Sequence, residues 1–236
     1  MKGRRNTGVS GRGRGPQNRP ASQARENLAS DKAHALALCP VSRETEERLD
    51  RFVELLLNWQ QRLNLVAPST LSVLWTRHVA DSLQLLPLAP GARIWVDFGS
   101  GGGFPGIAIA CALAGQAGAR VHLIESNGKK ATFLREAARV IELPALVHQI
   151  RAEKFGESCA EPVDVVTARA LAPLKTLCDQ AFPFIARGAI GVFPKGQDVD
   201  AELTDAAKYW RVEASKVPSK TSPEGSIVLI RGLEAR

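Results

Sequence analysis

The sequence predicts an α/β fold: a doubly wound, mostly parallel seven-stranded sheet behind an N-terminal helical extension. The apolar segment 93–96, the glycine-rich run 99–106 and the helical segment 107–113 form a strand–turn–helix unit, the nucleotide-binding corner of such folds. From residue 93 onward, strand-like and helix-like segments alternate, which is typical of a parallel sheet. The last two strand-like segments are joined by residues 218–225, which favours an antiparallel hairpin at one edge.

The spacing of apolar residues predicts the individual elements. The predicted strands cover residues 93–96, 121–124, 146–150, 163–168, 188–193, 209–215 and 226–231. The predicted helices cover residues 43–63, 71–86, 107–113, 128–143, 174–182 and 199–207. Ser42 is a suitable N-cap for the first helix, whose first turn is acidic and so matches the helix dipole.

Charge and the order of the predicted elements divide the chain into three predicted regions: a disordered basic tail (1–38), a helical cap (39–90) and an α/β domain (91–236). The net charge is +7, and residues 1–30 hold seven basic residues against one acidic residue. The Arg/Gly run 11–16 is typical of segments that bind RNA through charge with low sequence selectivity. Recruitment to nucleic acid and a merely solubilising extension both remain open for this tail.

Composition also limits location and partners. The sequence offers no transmembrane run and no early apolar segment resembling a signal peptide. Its four cysteines are scattered, without C-x-x-C or zinc spacing, which predicts a reducing cytoplasm and no structural metal. We expect a cytoplasmic monomer without a membrane partner.

The glycine-rich run fits two cofactors. Residues 101–106 match G-x-G-x-x-G, the fingerprint of NAD-dependent oxidoreductases. Asp97 followed by 99–103 matches acidic-x-G-x-G-x-G, the loop of S-adenosylmethionine-dependent methyltransferases. The second match is favoured because Asp97 ends the strand directly before the glycines, and Pro105 then falls at a first helical position. Residues 91–236 are therefore predicted to be a Rossmann-like methyltransferase domain of class I that binds S-adenosylmethionine through Asp97, Gly99, Gly101 and Gly103.

Residues that follow the other strands complete the predicted site, because ligands of such sheets bind beyond the carboxyl ends of the strands. Glu125 lies 28 residues after Asp97 and can accept the ribose hydroxyls of the cofactor, although an acid at a helix N-terminus would look the same. Glu153 follows the third strand and can hold the adenine. Arg169 follows the fourth strand and points at the expected site.

Absent motifs narrow the chemistry. No Asn-Pro-Pro-aromatic motif follows the fourth strand, and no Pro-Cys pair occurs, which disfavours methylation of exocyclic amines and of pyrimidine carbons. O-methylation and attack by ring nitrogens remain. A catalytically inactive RNA-binding protein of the same fold is a further alternative, although an intact glycine loop and Glu125 argue against it.

Six segments match a single family pattern: 59–65 (WQQRLNL), 77–83 (RHVADSL), 99–106 (GSGGGFPG), 125–134 (ESNGKKATFL), 167–170 (TARA) and 194–196 (PKG). Together they make the chain resemble the RsmG (GidB) family of 16S rRNA guanine-N7 methyltransferases. The resemblance implies S-adenosylmethionine as cofactor, N7 of a specific guanine as target, and 16S rRNA or the 30S subunit as partner. Val66 replaces a threonine of the family pattern, so a hydroxyl role there is lost.

The resemblance also assigns residues by position. It places Gly99, Phe104, Ala152, Glu153 and Arg169 at the cofactor, with Ala152 replacing a valine. Guanine N7 carries a lone pair and no proton, so methyl transfer by in-line displacement needs no general base and rests on alignment and charge control. The candidates for holding RNA phosphate or guanine O6 are Asn64, Arg77, His78, Arg169 and Lys195. Arg77 could equally be a solvated residue paired with Asp81 at i,i+4.

Overall fold

A computed structural model describes residues 19–236, with side chains from residue 26 onward. Its core is one seven-stranded sheet in the order β3-β2-β1-β4-β5-β7-β6. Only β7 runs against its neighbours in this sheet, which confirms the predicted antiparallel edge. The strands are β1 (Ile94–Phe98), β2 (Arg120–Ile124), β3 (Ala145–His148), β4 (Val165–Ala168), β5 (Ile190–Lys195), β6 (Trp210–Pro218) and β7 (Ser226–Ala235).

Eight α-helical segments accompany the sheet in residues 19–236. They are α1 (Arg19–Leu38), α2 (Arg43–Gln60), α3 (Asp81–Leu83), α4 (Gly106–Leu113), α5 (Gly128–Ile141), α6 (Ala152–Ser158), α7 (Leu174–Ile185) and α8 (Val199–Ala206). Helix α6 was not predicted, because it is only seven residues long and has too few turns to show a periodic pattern. No helix within residues 19–236 is long and apolar enough to cross a membrane.

The predicted disorder of residues 1–38 is wrong for residues 19–38, which form α1. The Arg/Gly composition ends before this helix, and Ala35 is buried against the cap. Residues 1–18, which hold the Arg/Gly run, lie outside the described residues. The helical extension therefore begins before residue 39.

The predicted helix 71–86 is also corrected. Its place is taken by a 3₁₀ turn (Pro68–Val73), a π-helical turn (Trp75–Ala80), α3 and a second 3₁₀ turn (Leu86–Leu88). The backbone N–H groups of Trp75 and Thr76 donate to the carboxylate of Asp31 on α1. A distant side chain thus starts a new, wider turn in the middle of the segment.

Side chains of β1 alternate between two buried layers. Trp95 belongs to the apolar cluster formed by α2, α4, α5 and the cap, whereas Val96 and Phe98 belong to the cluster under α6, α7 and α8. This alternation follows from the period of two along a strand. Because β1, β2, β4 and β5 are held between two layers of helices, their carboxyl ends and the loops that follow meet at one edge of the sheet.

Candidate active site

The glycine-rich loop has a left-handed backbone at three of its glycines. The φ angles are +65° at Gly99, +53° at Gly101 and +88° at Gly103, values that L-residues with a side chain rarely adopt. A Cβ added at Gly99 would lie 2.6 Å from the side chain of Leu171, and one added at Gly103 would lie 2.8 Å from that of Phe52. At Gly101, the nearest atom beyond the adjacent residues would be 3.5 Å away. Gly101 is therefore the glycine of these three that leaves its Cα open to a ligand.

Asp97 joins the end of β1 to the start of α4. Its side chain is fully buried, Oδ2 accepts the backbone N–H of Gly106 at 3.0 Å, and Oδ1 has no partner among the described residues. Burial raises the pKa of Asp97 to about 7, since the charged form loses its hydration. A dinucleotide phosphate would need this helix N-terminus, which the acid occupies. The geometry disfavours the NAD alternative.

Glu125 ties β2 to the glycine loop. Its Oε2 accepts the backbone N–H of Gly101 at 2.9 Å, and its Oε1 accepts that of Asn127 at 2.7 Å. Each carboxylate oxygen can accept a second hydrogen bond, so this role leaves capacity for a ligand. Glu125 supports the loop and the following helix at once.

A cavity of about 950 Å³ opens beyond the carboxyl ends of β1, β4 and β5. The glycine loop, the π-helical turn, the segment after β4 and the β6–β7 hairpin line it. Seven of the predicted site residues lie in its wall: Arg77, His78, Gly99, Gly101, Phe104, Arg169 and Lys195. Six do not: Asn64, Asp97, Gly103, Glu125, Ala152 and Glu153.

Arg169 is held by three acceptors of the cap. Its Nη1 donates to the carbonyl oxygen of Arg77 at 3.1 Å and to Oδ2 of Asp81 at 3.4 Å, and its Nη2 donates to Nδ1 of His78 at 2.6 Å. The guanidinium lies 5.5 Å from the centroid of the Phe104 ring. Asp81 therefore pairs with Arg169 and not with Arg77, so the intrahelical alternative is wrong. Two of the five N–H donors of Arg169 have no partner among the described residues.

His78 is a neutral ring with a defined tautomer. Arginine can only donate, so Nδ1 accepts and Nε2 carries the hydrogen, which Nε2 donates to Oγ1 of Thr70 at 2.8 Å. Burial, together with the nearby charges of Arg169 and Arg77, lowers the pKa of His78 to about 3. The ring also stacks on Phe104 with the centroids 5.1 Å apart. Since both nitrogens are engaged, His78 has no lone pair available to accept a proton.

Lys195 is committed to an ion pair. Its Nζ lies 2.6 Å from Oε2 of Glu202 and donates to the carbonyl oxygen of Ala172 at 2.9 Å. Oε2 of Glu202 also accepts the backbone N–H of Leu174 at 2.6 Å, at the start of α7. The lysine side chain is 9% exposed. Lys195 thus anchors the segment after β4, and its charge is already balanced.

Three predicted residues have other surroundings. Asn64 is exposed in the connection after α2. Ala152 and Glu153 open α6, where the carboxylate of Glu153 accepts a hydrogen bond from Gln180 at 2.8 Å. These residues stay predictions for RNA or adenine contacts, on the strength of the resemblance.

The contacts that hold Asp81 in place were not predicted from the sequence. Its Oδ1 accepts from Oγ1 of Thr221 at 2.6 Å and from Nε2 of Gln84 at 2.9 Å, while Oδ2 faces Arg169. Thr221 belongs to the β6–β7 hairpin, 140 residues away in sequence. Asp81 was visible within the run 77–83, but nothing in the sequence marks Thr221 as its partner. In residues 19–236 there is no group of three or more His, Cys, Asp or Glu residues that could hold a metal.

Comparison with known proteins identifies the family. A family model described as GidB, rRNA small subunit methyltransferase G, matches residues 45–228. The chain belongs to this family. It is 58% identical over 216 residues to Ribosomal RNA small subunit methyltransferase G of Bradyrhizobium sp. (strain ORS 278), across 92% of this chain and 97% of the relative. It is 59% identical over 207 residues to that of Bradyrhizobium sp. (strain BTAi1 / ATCC BAA-1182), across 88% and 93%.

Solved structures share the fold at low sequence identity. An O-methyltransferase from Bacillus cereus in complex with SAH has a TM-score of 0.54 at 17% identity, covering 88% of this chain and 99% of that one. MtNAS in complex with S-adenosylmethionine has a TM-score of 0.52 at 17% identity, covering 89% and 88%. These similarities confirm the predicted fold class of the family's domain.

Proposed function

We propose that this protein transfers a methyl group from S-adenosylmethionine to N7 of a specific guanine in 16S rRNA of the small ribosomal subunit. The observation that carries the proposal is that the histidine and the buried and partly buried acids of the cavity wall already have hydrogen-bond or ion-pair partners. His78 and the acids Asp81 and Glu202, which are at least partly buried, are all bonded to other protein groups. The wall thus offers fixed donors, both nitrogens of its histidine are engaged, and its partly buried acids Asp81 and Glu202 are paired with cations. Relatives named rRNA small subunit methyltransferase G support the substrate class.

The glycine loop fits the proposed cofactor. Gly101 combines a φ of +53° with open space where a Cβ would stand, so a ligand can approach the backbone directly. S-adenosylmethionine, when bound, supplies a methyl group on a positively charged sulfur. The residues that would hold it are Gly99, Gly101, Phe104 and Arg169 in the cavity wall, with Asp97, Gly103, Glu125, Ala152 and Glu153 from the sequence prediction.

The chain's own residues suit a nucleophile that needs no deprotonation. Guanine N7 presents a lone pair and no proton, so its methylation needs no general base. This agrees with a neutral His78 whose two ring nitrogens are both engaged. Arg169 is held rigidly and keeps two N–H donors for an acceptor such as guanine O6, the usual partner of arginine at a guanine edge. The exposure of Arg77 in the same wall supports a role for it in binding RNA phosphate. Catalysis then rests on alignment and fixed charge.

The partner is 16S rRNA or the 30S subunit, and this substrate implies a cytoplasmic enzyme, which we expect to act as a monomer.

The test of this function is a labelling experiment. Methyl-labelled S-adenosylmethionine is incubated with 30S subunits lacking the modification and, in parallel, with protein-free 16S rRNA. Labelled N7-methylguanosine is then mapped by reduction and strand cleavage. One labelled guanine supports reaction, substrate and position together.

The controls separate the alternatives. Arg169→Ala is expected to reduce the rate of methyl transfer. Arg187→Ala is its matched control, because Arg187 binds the backbone carbonyls of Pro183 on α7 and of Cys159, outside the cavity wall. Thermal stabilisation by S-adenosylmethionine, by NAD or by neither separates the methyltransferase, the oxidoreductase and the inactive RNA-binding protein. Absence of label from a protein that binds S-adenosylmethionine would contradict the substrate assignment.

A further inference from the structure

We propose that helix α1 is a positioning element for Arg169, and that Asp31 is the residue through which it acts. The inference rests on the proposed function, because it concerns the turnover that Arg169 supports. The proposal gives α1 a role in the active site, although its residues were predicted to belong to a disordered tail. Asp31 would act at a distance, since it touches neither Arg169 nor the cavity wall.

The guanidinium of Arg169 depends on one short segment of the cap. All of its hydrogen-bonding partners among the described residues, the carbonyl of Arg77, the ring of His78 and the carboxylate of Asp81, lie within residues 77–81. This segment spans the end of the π-helical turn and the start of α3. The orientation of Arg169 is therefore fixed by the helical register of residues 75–81.

Asp31 fixes where that turn begins. Its Oδ2 accepts the N–H of Trp75 at 2.7 Å, and both carboxylate oxygens lie 3.3 Å from the N–H of Thr76. The first N–H groups of a helical turn lack acceptors within the turn, so an outside carboxylate selects the residue at which it starts. π-helical turns are uncommon and often occur at functional sites. Here the carboxylate that begins the turn comes from another helix.

Helix α1 is held on the cap at further points. Nζ of Lys32 lies 2.7 Å from carboxylate oxygens of both Glu46 and Asp50 on α2, and 5.1 Å from the ring centroid of Trp75. At the other end of the turn, Sγ of Cys39 donates to the carbonyl oxygen of Ala80 at 3.5 Å. The region around α1 thus contacts both the beginning and the end of the turn that holds Arg169.

Loss of the hydrogen bonds from Trp75 and Thr76 to Asp31, here called the Asp31 clamp, changes the helical register of residues 75–81. Without Asp31, the N–H groups of Trp75 and Thr76 lose their acceptor, and the wide turn loses its advantage over an ordinary α-helix. A one-residue change of helical register rotates the following side chains by about 100°. Such a rotation would move His78 and Asp81 away from Arg169. The protein would remain folded, but the arginine would lose its fixed direction.

A double-mutant cycle tests the proposal. Methyl transfer to 30S subunits is measured for the full-length chain and its Asp31→Ala, Arg169→Ala and doubly substituted variants, well below their melting temperatures. Asp31→Ala is expected to lower kcat by roughly two- to thirtyfold, and by less than twofold when Arg169 is already alanine. Asp31→Asn keeps one oxygen that can accept the N–H of Trp75, so it is expected to recover most of the rate.

Asp164→Ala is the matched control. Oδ2 of Asp164 accepts two consecutive backbone N–H groups, those of Arg93 and Ile94, both at 2.8 Å, at the amino end of β1. The same kind of clamp is thus removed at the opposite edge of the sheet. We expect a comparable loss of thermal stability with kcat unchanged. An equal loss of kcat in Asp164→Ala, or the same Asp31→Ala effect in both Arg169 backgrounds, would overturn the positioning role.

A spectroscopic measurement makes the proposal independent of turnover. In protein with ¹⁵N-labelled arginine, the guanidinium signals of Arg169, identified by their loss in Arg169→Lys, should be resolved and protected from hydrogen exchange. Asp31→Ala is expected to abolish this protection, and Asp164→Ala to preserve it. Unchanged protection in Asp31→Ala would overturn the inference. If the unmodified chain methylates no RNA, the proposed function fails, but this measurement still decides the role of Asp31.

Discussion

Replacement of Gly101 by glutamate should abolish cofactor binding while leaving the protein folded. The left-handed φ of +53° at Gly101 costs an L-residue about 1 kcal/mol or slightly more, which lowers the melting temperature of a chain this size by roughly 2–4 °C. The side chain then enters the space from which the cofactor must approach the backbone. At 100 times its dissociation constant, S-adenosylmethionine is expected to stabilise the unsubstituted protein by about 2.7 kcal/mol. That stabilisation should vanish.

Gly115→Glu separates backbone strain from cofactor exclusion. Gly115 has a φ of +92°, an added Cβ there meets nothing within 4 Å, and the residue is exposed outside the cavity wall. Thermal unfolding is followed for both variants with and without S-adenosylmethionine. Both should lose similar stability, but only Gly101→Glu should lose the ligand-induced shift. A full shift in folded Gly101→Glu would refute the placement of the cofactor at this loop.

Further predictions follow from the cavity and the tail. Arg169→Ala should lower turnover roughly 100-fold and destabilise the fold by about 3 kcal/mol, because Asp81 stays buried without its cation; adding Asp81→Asn should restore the melting temperature but not the turnover. Because the pKa of His78 is lowered to about 3, unfolding takes up a proton below pH 6.5. Between pH 6 and 4, the free energy of unfolding of the unsubstituted chain, measured with urea, should fall by up to about 1.4 kcal/mol per pH unit more than that of His78→Gln. The same pH dependence in both proteins would contradict this. Deletion of residues 1–18, which hold five lysines and arginines, should leave the cofactor-induced thermal shift intact and weaken the salt dependence of RNA binding; an unchanged salt dependence would favour the solubilising alternative.

Most of the sheet was predictable because it depends on local patterns. The alternation of strand-like and helix-like segments located all seven strands to within a few residues, and the glycine-rich run marked the loop between β1 and α4. Three helical segments were not predicted, each for a different reason. Helix α1 closely follows the Arg/Gly run and was included in the predicted basic tail. Helix α6 is too short to show a period, and the π-helical turn depends on Asp31, whose carboxylate reaches Trp75 from 44 residues away.

The site was predictable as a set of residue types, but its internal pairings were not. Arg169 was expected from its place after β4, yet nothing local identifies His78 and Asp81, about 90 residues earlier, as its partners. Lys195 was expected to face RNA. The structure shows it neutralised by Glu202, because α8 packs on α7 and so brings the carboxylate of Glu202 to the lysine.

The sequence by itself therefore determined the fold class, the glycine loop and the family, since periodicity and contiguous motifs are written along the chain. The tertiary structure alone decided which donors remain available in the cavity, which acids and bases neutralise one another, and that α1 reaches the turn holding Arg169. Those properties depend on contacts between residues as far apart as Asp81 and Thr221. Such contacts exist only once the cap, the sheet and the hairpin have packed together.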